Sequence, residues 1–240
     1  MTTETTATSP KIYARIGGVL YLINIIVGFF AIGYVPGIIV VANNAAATSN
    51  NILSHELLYR VGIVAHIIIL LTNIPLAIIF FNLFKIVNKN ITMLVVFFTL
   101  VGTAIEAVDL LNQFAPLLLL KKGGYQNVFT PEQLQFLTLV VLRLQTFGFN
   151  LALVFFGFYG VSIGYLIIKS TFLPKFIGVF LVIGGICYMF YSFSSFLVPN
   201  FAAHLVPYIQ IPSGLAELTF CLWMLIAGVN VKRWKEKANT

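Results

Sequence analysis

Residues 91–120 read ITMLVVFFTLVGTAIEAVDLLNQFAPLLLL. A bilayer hydrocarbon core of about 30 Å is crossed by roughly 20 apolar helical residues, so this stretch is long enough to span it. Its only two charges, Glu106 and Asp109, fall in the middle, where lipid tolerates them least. Five further runs of similar character lie on either side. The six predicted spans cover about 14–35, 57–84, 91–120, 133–168, 174–198 and 211–231. A polar N-terminal tail, 1–12, and a basic C-terminal tail, 232–240, flank one transmembrane domain that takes in the whole chain, 1–240. The expected fold is an all-α, polytopic integral membrane protein, a six-transmembrane-helix bundle.

Composition supports the same reading. The chain is 60% hydrophobic and 9% charged, whereas soluble domains are roughly 25% charged. A water-soluble enzyme is excluded, because 23 Phe leave too little polar surface to cover a fold. The net charge of +7 does not point to nucleic acid, since the 14 Lys and Arg are scattered between apolar runs. They fit orientation instead. Lys11, Arg15, Lys85, Lys89, Lys169, Lys175 and the tail cations Lys232, Arg233, Lys235 and Lys237 fall on one side of a six-span chain. Arg60, Lys121 and Lys122 fall on the other. Positive flanks are retained in the cytoplasm, so both termini are expected there. The first span is too long for a signal h-region and is expected to stay attached. Cys187 and Cys221 lie within spans and read as packing thiols.

The fourth run exceeds one straight crossing and is expected to include an amphipathic lead-in from Thr130-Pro131-Glu132, a helix start signal. The segment 36–56, rich in Asn, Ser and Thr, reads as a connecting loop with a short interfacial helix, or as a cap over the outer mouth. On span one, Gly17, Tyr21, Asn24 and Gly28 share a face suited to close helix packing. The basic tail around Trp234 reads as an interfacial anchor to anionic lipid.

Charges inside spans need a partner or water. Glu106, Asp109 and Gln113 form one stripe of span three, with Asn112 at its edge. Arg143, Thr146 and Asn150 do the same on span four, His66 and Asn73 on span two, and Glu217 lies in span six. Counting about 1.5 Å per residue puts Asp109, Arg143 and His66 at similar depth, so an Asp109–Arg143 pair is expected, with Glu106 as the alternative. Three acids face one obligate cation, which leaves at least one acid to be protonated, hydrated, or paired with His66 or Arg60. Such a cluster suits protons or cationic groups, with Arg143 holding an anionic group, and it equally suits a structural hydrogen-bond network. His55, His66, His204, Glu106, Asp109 and Glu217 are residue types able to hold zinc, but no HExxH, CxxC or GxSxG motif accompanies them.

Seven segments occur in order: YARIGGVLYL, LLYRVGIVAHI, FKIVNKN, LLNQFAPLLLL, FTPEQLQFL, FLPKFIGVFLVIGG and PSGLAELTFCLWMLIAGV. Together, from Tyr13 to Val229, they resemble the prokaryotic membrane-protein family domain of unknown function 4386. The resemblance implies a multi-span helical protein of a prokaryotic cell membrane and supplies no reaction. The pattern carries over to Arg60, Asn112, Pro174 and Glu217. Members often have Asp where this chain has His66, and another Asp near Tyr191, which makes Glu217 the better site residue of the two.

The expected function is small-molecule or lipid binding, with transport as its extension, at an outer-half site of Glu106, Asp109, Arg143, Glu217, His66 and Asn112. The alternatives are a structural or accessory membrane protein and, third, a membrane-embedded metal-dependent hydrolase. No cofactor is expected; the expected partners are the lipid bilayer and a small-molecule or lipid ligand, without nucleic acid.

Overall fold

The structure, a computed structural model, describes residues 9–121, 125 and 128–239. Lys122 and residues 1–8 of the N-terminal tail, both used in the charge argument or its flanks, lie outside the described residues, as does Thr240. The chain is an all-α multi-pass membrane protein: 88% of the described residues are helical, and none of them is in a strand. Six helical stretches are long and apolar enough to cross a membrane, namely Pro10–Ile39, Glu56–Phe84, Lys89–Leu119, Pro131–Ser170, Lys175–Leu197 and Tyr208–Ile226. Many of their large apolar side chains are exposed, among them Phe29, Leu57, Val108 and Leu197, which is the surface a lipid solvent requires.

The first stretch runs past its expected end. α1 (Pro10–Gly28) passes into a π-helical turn, Phe29–Tyr34, and then α2 (Val35–Ile39). Pro36 lacks an N–H, and its ring would press on the carbonyl of Ile32 in a regular helix. The wider turn, with Val35 N–H bonded to Phe30 O, absorbs that conflict and carries the helix through. The following segment is more than a plain loop. Asn43 takes a left-handed φ of 57°, and the Asn44 side chain caps α3 (Ala45–Ser54) by accepting from Ala47 N at 2.9 Å.

α4 (Glu56–Phe84) and α5 (Lys89–Leu119) each contain an internal proline, Pro75 and Pro116. α6 (Pro131–Ser170) is a single helix of 40 residues, about 60 Å long, twice the thickness of a bilayer core. Its start is a reciprocal capping box: Gln133 N donates to Thr130 Oγ1, and Thr130 N donates to Gln133 Oε1 at 2.8 Å. α7 (Lys175–Leu197), α8 (Pro199–Leu205), α9 (Ile211–Ile226) and α10 (Val231–Ala238) complete the chain. α9 stops before its expected end, because Gly228 at φ 67° turns the backbone and bonds back to Trp223 O.

Two compact units divide the chain. Unit 1 comprises Met1–Ile23, Thr72–Gly102 and Leu153–Thr240. Within it, α6 meets α7 through glycines: a Cβ on Gly164 would lie 2.5 Å from Gly178 O, and one on Gly185 would lie 2.5 Å from Gly157 O. Gly18 likewise admits the backbone of Leu225, and on the face expected to pack closely a Cβ on Gly17 would lie 2.7 Å from Met224 Cε. Both described chain ends lie at the same end of this unit, since Arg15 donates to Ile226 O and Arg233 to Thr171 O. The basic tail forms α10, and Trp234 Nε1 donates to Leu83 O in the last turn of α4, where helical carbonyls lack partners of their own.

Unit 2 comprises Asn24–Leu71 and Thr103–Ala152. Its core packs Val35, Ile39, Ile52, Tyr59, Ile63, Leu70, Leu110 and Leu142. The polar side chains of α3 satisfy backbone of the α2 end: Asn51 Nδ2 donates to Ile38 O and Ile39 O, and Thr48 Oγ1 exchanges bonds with Val41. An Asn-rich segment can therefore pack on apolar helices without orphaned backbone groups.

Candidate functional site

Unit 2 gathers most of the expected residues. His66 on α4 is 2% exposed, and Glu106 and Asp109 on α5 are 4% and 7% exposed. His66 Nε2 lies 3.8 Å from Glu106 Oε1, beyond hydrogen-bond length. Neither ring nitrogen of His66 has a hydrogen-bond partner among the described residues. Asp109 Oδ1 accepts from Asn112 Nδ2 at 2.9 Å, so the edge residue of the stripe orients the acid. Across from Asp109, α6 presents Gly148, and a Cβ there would collide with the carboxylate.

The Asp109–Arg143 pair is not formed. Arg143 is exposed and its Nη2 donates to Asn43 Oδ1 at 3.0 Å. The reason is rotational and axial register. Gly148, which faces Asp109, lies five residues beyond Arg143, roughly 140° around α6 and about 7.5 Å along it. Arg143 therefore points away from the acid and sits at a different level. Nor does Arg60 serve the cluster, because it pairs with Glu56 one turn earlier, with Nη2–Oε1 at 2.6 Å.

Arg143 instead borders a cavity of about 330 Å³ within unit 2, a size at the lower end of ligand pockets at roughly 300–1,000 Å³. Val35, Ile39, Ile63, Leu139 and Leu142 supply apolar wall, while Asn43, Gln113, Arg143, Gln145 and Thr146 supply polar groups. Among the described residues lining it, no carboxylate offsets the Arg143 charge. The segment after α2 thus forms part of a cavity wall through Val40, Ala42 and Asn43. The cavity connects by helical register to the buried cluster: His66 is one turn from Gly62 and Ile63, and Asp109 is one turn from Gln113. Tyr59 donates to Gln113 O at 2.8 Å and ties α4 to α5 at the cavity level.

Glu217 belongs to unit 1 and has other company. Its Oε1 accepts from Tyr188 at 3.1 Å, and Tyr159, Tyr188 and Glu217 border a space of only about 10 Å³. That volume admits a single water at most. Phe80 packs against Tyr21, Tyr159 and Phe220 beside it. Among the described residues, no three His, Cys, Asp or Glu side chains come together in a group that could hold a metal ion. Cys221 is buried with its Sγ directed to Gly18 O, and Cys187 is half-buried; both are free.

A family model described as Domain of unknown function (DUF4386) matches residues 16–228. The chain belongs to the DUF4386 family. No curated protein and no solved structure matches it. The DUF4386 match takes in the His66–Glu106–Asp109 cluster, the Asn43–Arg143 contact and the Glu217–Tyr188 contact, and it ends before α10.

Three contributors in this DUF4386 chain escaped the sequence reading. Asn43 carried a signal, since an Asn-Asn pair before a helix supplies both a left-handed residue and a cap. Gln145 was hidden because it lies off the Arg143–Thr146–Asn150 stripe. Gly148 carried none, because its role depends on which side chain α5 sets opposite.

Proposed function

We propose that this DUF4386 protein binds an amphipathic small molecule or lipid in the unit 2 cavity, with any transport following from that binding. The observation that carries the reading is the cavity itself: apolar walls from α2, α4 and α6, interrupted by a few polar groups on one set of helix faces. His66, Glu106, Asp109 and Asn112 lie a turn or more away and serve as its polar extension. Glu217 has a different part, a structural one, supported by its hydrogen bond from Tyr188 and the small space beside it. The Lys and Arg distribution supports cytoplasmic termini, and a prokaryotic cell membrane is what the family resemblance implies.

A ligand-shift screen of the purified full chain tests binding. Hits on the natural chain are expected to weaken about tenfold or more in Leu139→Trp, which places an indole in the cavity while keeping an apolar wall. Hits that bind Leu139→Trp with unchanged affinity would place the ligand elsewhere. Unchanged affinity in Glu106→Gln would remove that acid from the site and leave the cavity.

A further inference from the structure

We infer that the occupant of the cavity is an amphiphile with a single oxyanion head, a carboxylate or phosphate ester, seated at Arg143 beside Asn43. This inference rests on the binding reading above and adds the charge of the ligand. Arg143 interrupts an apolar helical run, Val140-Val141-Leu142 before it and Leu144 after it. An arginine in such a run requires compensation. Its hydrogen bond among the described residues goes to a neutral amide oxygen, and no described acid lies within ion-pair distance of it. The buried acids that could have neutralised it, Glu106 and Asp109, face other partners.

A guanidinium has five N–H donors in a planar fork that fits two oxygens of one anion. Asn43 uses one of these donors and holds the side chain toward the cavity, from a backbone conformation that fixes the amide's position. Gln145 borders the same cavity and can donate to a head group, whereas the Thr146 hydroxyl already donates to Leu142 O at 3.2 Å. The remaining wall offers apolar side chains to a tail and no lining carboxylate to repel the head. A neutral amphiphile would leave the charge uncompensated. A free inorganic anion would leave the apolar wall unfilled.

The test uses the full chain in phosphatidylcholine nanodiscs and a palmitate probe with a diazirine in its chain. After irradiation, adducts are mapped by mass spectrometry. Adducts are expected on Ile39, Ile63, Leu139 or Leu142, displaced by oleate at concentrations about tenfold or more below those needed of oleyl alcohol, and not displaced by inorganic phosphate. Arg143→Gln is expected to lower labelling about tenfold or more, the loss associated with a charge-assisted hydrogen bond. Arg143→Lys should keep the preference for oleate over the alcohol, and it carries the test if Arg143→Gln does not fold. Equal competition by oleyl alcohol, or normal labelling of folded Arg143→Gln, would overturn the anionic head while leaving a cavity that Leu139→Trp still closes. Displacement by phosphate alone would make the site one for a free anion and overturn the amphiphile. Labelling that needs Arg143 but survives Leu139→Trp would be a surface headgroup contact, and both readings would fail.

Discussion

Gly148 has no side chain because Asp109 occupies the space where a Cβ would stand. The pair is a residue-scale lock within unit 2: α6 gives way where α5 carries a buried acid, and Asn112 holds that acid in orientation. Gly148→Ala is therefore expected to destabilise the protein by about 1–3 kcal/mol, the usual result of overpacking. Asp109→Ala in the same background removes the carboxylate, the nearest part of the obstacle, and leaves only the Cβ at 2.9 Å. In a double-substitution cycle read from thermal unfolding of the purified protein, the combined loss should fall short of the sum by more than about 0.5 kcal/mol. Simple additivity would mean that the two residues do not meet. The same scale explains Arg143, whose partner is decided by one rotational step around α6 rather than by the overall inventory of charges. The five charged or titratable residues of the expected site could be named from the chain, but their pairings could not.

At the scale of elements, the helices of unit 1 meet where glycine lets backbone approach backbone. Gly18 on α1 is one such case, since an added Cβ would lie 2.6 Å from Leu225 N and 2.8 Å from its Cα. Backbone cannot step aside as a flexible side chain can. Gly18→Ala is expected to cost about 1–3 kcal/mol and to broaden the size-exclusion peak in detergent. Gly214 on α9 is the matched control, because nothing stands within 4 Å of a Cβ built there. Gly214→Ala should stabilise by about 0.4–1 kcal/mol through reduced backbone freedom in the unfolded chain. Similar melting temperatures for the two variants would remove the close-approach account. The glycine contacts of α6 with α7 were not legible beforehand. Gly157, Gly160 and Gly164 are small residues on a long apolar helix, and only the facing Gly178 and Gly185 give them a role.

For the whole molecule, the proposed orientation rests on the cations. Lys85 and Lys89 at the α4–α5 turn, Lys169 and Lys175 at the α6–α7 turn, and the α10 cations belong to segments of unit 1 that its hydrogen bonds bring to one end. Retention of positive flanks is the ground for the proposal that this end is cytoplasmic. Reporter fusions within residues 85–90 are expected to report the cytoplasm, and fusions after Ser54 the opposite side. An external signal from 85–90 would reverse the orientation.

The sequence by itself determined the solvent, the number of crossings and the positions of the buried charges. Those properties are local: roughly 20 apolar residues satisfy a bilayer wherever they occur, and a charge within them is visible as an interruption. Helix ends were legible to within a few residues where caps or charges marked them, as at Thr130 and Lys175. They were less so at Pro36, where a π-helical turn let the helix continue. Only the tertiary structure decided that Arg143 meets Asn43, that Gly148 yields to Asp109, and that Glu217 meets Tyr188. Each residue along a helix turns the facing direction by about 100°, so a register uncertain by two residues leaves every partner open until the packing of neighbouring helices sets it.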